Sequence, residues 1–132
     1  MAKRFAFPKT RRLLSNSQFR VVLGRRLTAS DELLQLHIRE NDRGFSRLGV
    51  SIGKDCGQAV VRNRLKRLLR DAFRQNQQHI PASFDYVVSM SHRWAGRGGN
   101  RGLAKAAVKV LTFERVRDSF LVLAVKLASK GV

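Results

Sequence analysis

A chain of 132 residues, 43% of them hydrophobic, is sized for one domain with a real core, which excludes wholesale disorder. Its 27 Lys and Arg against 9 Asp and Glu leave a formal net charge of +18, a self-repulsion that a polyanionic partner accounts for, nucleic acid fitting better than an anionic membrane surface. A lone cysteine, Cys56, excludes an internal disulfide and a cysteine-based zinc site and suits a reducing compartment, while no apolar run approaches the roughly 18 residues of a spanning helix.

Residues 1–12 read as a basic, aromatic-containing arm without the apolar stretch of a secretory signal, so the cytoplasm is the expected compartment. Ser15-Asn16-Ser17-Gln18 has the form of a capping box, in which a hydroxyl and an amide satisfy two orphan helix N–H groups. The helix it starts carries Phe19, Val22 and Leu23 at i, i+3, i+4 on one face, and residues 24–30 end it. Residues 33–39 predict a strand, with Leu34, Leu36 and Ile38 alternating with Gln35, His37 and Arg39. After the turn signal Asn41-Asp42-Arg43-Gly44, residues 47–53 predict a second strand. Leu48, Val50 and Ile52 share one of its faces; Gly49, Ser51 and Gly53 share the other, where small side chains let another element approach closely.

The clearest helix covers residues 58–77, with Asp55 placed to cap it and Pro81 to enforce its end. Residues 84–90 predict a third strand, in which Phe84, Tyr86 and Val88 alternate with Asp85, Val87 and Ser89. A Gly/Arg-rich loop over 91–102 follows, either an auxiliary RNA contact with Trp94 stacking or a linker, and then a last helix over 103–129 with Thr112 as a potential break. The order helix, strand, strand, helix, strand, helix argues for an α+β fold in two layers. One domain, a nucleic-acid-binding one on the charge reading, then occupies 13–129, between the arm 1–12 and a tail 130–132.

Around the helix, at about 100° per residue, Val61, Leu65, Leu68, Leu69, Ala72 and Phe73 fall on one arc. Arg62, Asn63, Lys66, Arg67, Arg70 and Arg74 fall on the opposite arc, with Arg64 at its edge and Asp71 the only nearby acid. Like charges at i, i+4 (Arg62, Lys66, Arg70, Arg74) destabilise an isolated helix by about 0.2–0.5 kcal/mol per pair, a cost that bound phosphates would offset. Arginine suits phosphate because its planar fork binds it bidentately, and Asn63 adds a donor and acceptor able to reach a base edge or a 2′-hydroxyl. The alternative is an ordinary solvated basic face.

At this point the residues resemble a family. The stretch Arg47-Leu48-Gly49-Val50-Ser51-Ile52-Gly53-Lys54, followed by Ala59-Val60-Val61-Arg62-Asn63-Arg64-Leu65-Lys66-Arg67-Leu68-Leu69-Arg70-Asp71-Ala72-Phe73, resembles the signature of the bacterial ribonuclease P protein, an Arg-Asn-Arg helix after a strand and a lysine loop. Arg12-Leu13, Phe19 and Val22, and Asp85-Tyr86-Val87-Val88 also match, and the resemblance spans residues 11–90, weakening over the C-terminal helix.

The resemblance implies a two-layer α/β sandwich of about four strands and three helices, with the signature helix joining two strands by a left-handed crossover, opposite to the general rule. It implies a subunit of a holoenzyme, ribonuclease P, in which the RNA subunit, using bound Mg2+, hydrolyses the phosphodiester at the 5′ end of mature tRNA. The protein contributes no catalytic residue and no metal site; its partners are the catalytic RNA and the 5′ leader of precursor tRNA. Carried onto this sequence, Arg62, Asn63, Arg64, Lys66, Arg67 and Arg70 face the catalytic RNA. Arg12, Phe19, Val22, Leu23 and Lys54 attend the leader in a cleft between the first helix and the sheet, with Leu36, Val50 and Ile52 as nearby candidates that fit core positions better. Phe19 suits a base-stacking platform and plain core packing equally. Two positions depart from the family: Asp55 replaces the second of paired lysines, and Leu23 stands where a second aromatic is common.

Other signals do not rise to sites. His37, His79 and His92 lack ligand spacing, residues 53–57 lack the Gly-Lys-Ser/Thr ending of a phosphate loop, and no paired carboxylates support autonomous nuclease chemistry. Two other readings compete: a ribosomal-type or general structured-RNA-binding protein, and a DNA-binding regulator, for which a turn-helix partner and a dimer seam are missing.

Overall fold

In the computed structural model, which describes residues 12–13, 15–91, 94 and 111–131, the first helix begins where the capping box puts it. Ser15 Oγ accepts from Gln18 N at 3.2 Å, and Gln18 Oε1 accepts from Ser15 N at 3.0 Å, opening α1 (Asn16–Gly24). The next segment does more than end a helix. It holds β1 (Leu27–Ser30), an edge strand antiparallel to β2 (Leu34–Glu40), entered through Arg26 at φ 63. Four residues alternating half-buried and exposed are too short a pattern to read from sequence. In the turn between β1 and β2, Asp31 Oδ1 accepts from Leu33 N and Leu34 N, both at 2.8 Å, while Ser119 Oγ donates to Asp31 Oδ2.

β3 (Arg47–Ser51) stops two residues before the predicted end, and β4 (Phe84–Met90) spans the predicted third strand. The sheet order is β1-β2-β4-β3, with β4 antiparallel to β2 and parallel to β3. A parallel pair needs a crossover, and α2 (Ala59–Gln75) makes it.

The two ends of α2 correct the sequence expectation. Its N-cap is Gln58, without a side-chain capping bond, so Asp55 is not the cap; its backbone belongs to the 3₁₀ turn Lys54–Cys56. At the other end Asn76, not Pro81, stops the helix: Asn76 Nδ2 donates to Ala72 O at 2.9 Å, and the 3₁₀ turn Gln77–His79 follows. Residues 111–112 are non-helical, where the sequence pattern allows a break near Thr112, and Thr112 opens α3 (Phe113–Gly131), its Oγ1 accepting from Arg115 N at 3.2 Å. α3 runs past residue 129, where the sequence pattern ends it. The expected arm through residue 11, most of the Gly/Arg-rich loop and the expected helical residues 103–110 lie outside the described residues.

The core lies between one face of the sheet and α2 with α3. Leu34, Leu36, Ile38, Leu48, Tyr86, Val88 and Met90 meet Leu65, Leu69, Ala72 and Phe73 of α2 and Val116, Phe120, Leu123 and Leu127 of α3. Three rings anchor it: Tyr86 lies 6.4 Å from Phe73 and 5.8 Å from Phe120 between centroids, tilted as aromatic quadrupoles prefer. The Tyr86 hydroxyl donates to Pro81 O at 2.7 Å, satisfying its polar end. Trp94, a stacking residue in one of the two readings of its loop, is buried in this core at 7% exposure, where its large apolar surface is better placed.

The opposite face carries α1. Val22 and Leu13 pack on Val87, and the half-buried Phe19 lies against them. Beyond the two layers expected, α1 therefore adds cover to the far side of the sheet. That is why β4 is buried on both faces, Asp85 and Val87 included. Asp85 is satisfied at the end of the strand: Arg47 donates to it from Nε at 2.7 Å and Nη2 at 2.6 Å, and Asn41 Nδ2 at 2.8 Å.

Candidate nucleic-acid interface

α2 divides as its periodicity requires. Val61, Leu65, Leu69, Ala72 and Phe73 are buried, with Leu68 half-buried at the border. Asn63, Arg64, Arg67 and Arg70 are exposed, and Arg62 and Lys66 half-buried. Among the described residues no carboxylate pairs with Arg62, Arg64, Lys66, Arg67 or Arg70; Asp71 is engaged by Arg74 at 3.2 Å. The Nε of Arg62 is buried without a hydrogen-bond partner among them. Among the described residues the face is thus cationic, with Asp71 its one carboxylate, taken up by Arg74.

Arg12 joins this face. It bridges to Leu48 on the β3 edge, where Leu13 N donates to Leu48 O at 2.9 Å. Its side chain helps to line a concavity of about 410 Å³ together with Asn63, Lys66, Arg67 and Arg70, and with Asp71 and Arg74, which pair with each other. Burial, and then the charge of Arg12, lowers the pKa of Arg70 below the ordinary arginine value. Two guanidinium groups held this close repel, and an anion between them removes the cost. Sequence places Arg12 with the leader residues; in the structure it stands with the helix residues instead.

A second concavity, of about 330 Å³, opens between α1, the end of β3 and α2. Asn16, Phe19 and Leu23 form its α1 wall; Val50, Ser51 and Ile52 come from the β3 side and Lys66 from α2. Lys66 lines both concavities. Phe19 is seated on Gly49: a Cβ added there would lie 2.6 Å from Phe19 Cε1, so the missing side chain is what lets the ring reach the sheet. Leu23 is 42% exposed, an aliphatic wall where an aromatic would stack.

Not every expected leader residue reaches this groove. Val22 is fully buried against Val87 and Leu13, because three residues past Phe19 the helix face points into the sheet. Leu36 is fully buried on the other side of the sheet, in the core with α2 and α3. Lys54 is exposed on its 3₁₀ turn but outside the groove lining. Asn16 and Ser51, which do line it, carry only the weak signal of polar residues beside Phe19 and Val50. Among the described residues no group of three or more His, Cys, Asp or Glu side chains converges to hold a metal ion, and no helix is long and apolar enough to cross a membrane.

The family model described as Ribonuclease P matches residues 7–126 of this chain. The ribonuclease P protein component of Clostridium kluyveri is 38% identical over 87 residues, covering 66% of this chain and 78% of that protein. That of Thioalkalivibrio sulfidiphilus is 43% identical over 89 residues, covering 67% and 73%. Among solved structures, the RNase P protein of Thermotoga maritima superposes with a TM-score of 0.72 at 29% identity, over 87% of this chain and 96% of that one.

Proposed function

The chain belongs to the ribonuclease P protein family, and we propose that, as the protein subunit of that ribonucleoprotein enzyme, it grips the catalytic RNA with the basic face of α2 and the 5′ leader of precursor tRNA in the groove beside α1. One observation carries this reading: an arginine face whose Arg62, Arg64, Arg67 and Arg70 pair with no carboxylate among the described residues adjoins a groove walled by an aromatic ring, with Lys66 common to both.

In this reading the RNA subunit carries out the hydrolysis, with Mg2+ held by the RNA. The protein binds and orients. Arg62, Arg64, Lys66, Arg67 and Arg70, joined by Arg12, contact backbone phosphates of the catalytic RNA, and Asn63 reaches a base edge or a 2′-hydroxyl. Phe19 offers one face to a leader base, an interaction of about 1–3 kcal/mol that does not depend on base identity. Leu23 supplies apolar contact only, so a single base is stacked. Lys54, exposed just after β3, extends the positive potential along the path of the leader. The RNA-binding unit is residues 13–129, and the compartment is the cytoplasm, where precursor tRNA is made.

A filter-binding titration of precursor tRNA against the catalytic RNA, with and without the protein, tests the reading. The protein should raise precursor affinity and cleavage at limiting magnesium, and raise both more for a leader-bearing substrate than for one with a minimal leader. No change in affinity or cleavage would refute it. A general structured-RNA binder would show no preference for the leader.

A further inference from the structure

Beside the groove the sheet carries a row of uncharged polar side chains that the reading above leaves unused. Strand register places Ser30 opposite Gln35, Gln35 opposite Ser89 and Ser89 opposite Ser51, one residue from each of the four strands. Each is flanked along its strand by residues packed into the core with α2 and α3: Leu34 and Leu36 around Gln35, Val88 and Met90 around Ser89, Val50 before Ser51, Ala29 before Ser30. Strand alternation therefore turns all four to the opposite face, the one α1 covers in part. The neighbouring row on that face holds Val87 and Gly49, and these are the positions occupied by Val22 and Phe19. The polar row is the next one along, half-buried at Gln35 and Ser89 and exposed at Ser30 and Ser51. None of the four side chains hydrogen-bonds another described residue, and Ser51 lines the groove itself.

Three inter-strand spacings give the row a length of about 14 Å, room for up to about four nucleotides at the stacked spacing of 3.4 Å. Serine hydroxyls and a glutamine amide donate and accept, which matches ribose 2′-hydroxyls and base edges, and they offer nothing to a phosphate charge. We propose that Ser51, Ser89, Gln35 and Ser30 form a track that hydrogen-bonds the leader beyond Phe19, so that the protein prefers a ribonucleotide leader to a deoxyribonucleotide one through contacts that carry no charge. The track rests on the leader-binding reading above.

The test uses the reconstituted holoenzyme and precursor tRNA whose leader is all-ribose, or 2′-deoxy except at the nucleotide adjoining the cleavage site, with a minimal-leader substrate alongside. The unaltered protein should bind the deoxy leader about three- to ten-fold more weakly, the equivalent of one net hydrogen bond. The double variant Gln35→Ala with Ser89→Ala should bind the ribose leader more weakly by a similar factor, treat both leaders alike, and keep the salt dependence of the unaltered protein. Ser30→Ala with Ser51→Ala, at exposed positions, repeats the test should the half-buried pair lower the melting temperature. Equal binding of the two leaders by the unaltered protein, or undiminished discrimination in both variants, would overturn the track and leave a solvated face only. Binding that does not depend on a leader at all would remove the leader reading as well; leader dependence without ribose preference removes the track alone.

Discussion

Gly49→Ala is the sharpest perturbation of the groove. The added methyl would stand 2.6 and 2.7 Å from Phe19 Cε1 and Cζ and 3.1 Å from Leu13 Cβ, so something must move. The two shortest contacts are with the tip of a half-buried ring, which can swing toward the groove, rather than with backbone. The cost therefore belongs at the low end of overpacking, about 1–1.5 kcal/mol. That corresponds to a fall in Tm of roughly 3–7 °C for a domain of this size. The backbone at Gly49 is not in the left-handed region, so with Phe19 shortened to alanine the same substitution should be neutral or even stabilising, by at most about 0.5–1 kcal/mol from reduced chain entropy. Urea unfolding of the two single variants and the double variant measures the coupling, expected at about 1–2 kcal/mol with unchanged m. In the Phe19 background the displaced ring should also weaken leader binding and leave catalytic-RNA affinity intact. An equal cost of Gly49→Ala with and without the ring would show that the ring is not what the glycine accommodates.

Three further outcomes follow from other parts of the molecule. Replacing Arg64 and Arg67 by glutamate should weaken catalytic-RNA binding and lower the log–log salt slope by about 1.5, two phosphate contacts' worth; an unchanged slope in a salt titration counts against that face. Asp85→Ala strands Arg47, whose side chain is 12% exposed, without its bidentate partner and should cost about 3–5 kcal/mol in urea unfolding, a loss under about 1.5 kcal/mol contradicting the pairing. Burial pushes the Asp31 carboxyl up, but hydrogen bonds from Leu34 N, Ser119 Oγ and Leu33 N, together with the charge of Arg115, outweigh it and hold its pKa below the ordinary value. A carboxyl depressed on folding stabilises fully above its unfolded pKa, about 3.9, and loses that contribution as pH falls through the lower folded value. The stability gap to Asp31→Asn should accordingly narrow below about pH 4, and a gap constant across an acid titration would contradict the network.

Legibility from sequence followed the length and regularity of each pattern. The capping box at Ser15, the strand Phe84–Met90 and the two arcs of α2 rest on local chemistry repeated over several residues, and each stands in the structure as read. The small residues around Gly49 signalled a close approach, and Phe19 makes it. What stayed hidden depends on partners distant in sequence. β1 is four residues long and is fixed by pairing with β2 rather than by its own alternation. Val22 shares a helical face with Phe19, yet only the position of the sheet decides that one is sealed and the other lines a groove. Arg12 leaves its expected group because a bridge to Leu48 delivers it to α2, and Trp94 sits in a Gly/Arg-rich segment yet is drawn inward by its own apolar surface.

The ends of the sheet also bear on how the protein exists before it meets its RNA. One border strand is only Leu27–Ser30, and the other, β3, is already occupied at Leu48 by a bond from Leu13. Exposed strand borders are templates for fibrous self-association, and short or occupied ones offer little to copy. A net charge of +18 adds repulsion between copies, so both features act against edge-to-edge pairing of the free subunit, and a bound polyanion removes the charge part of that barrier.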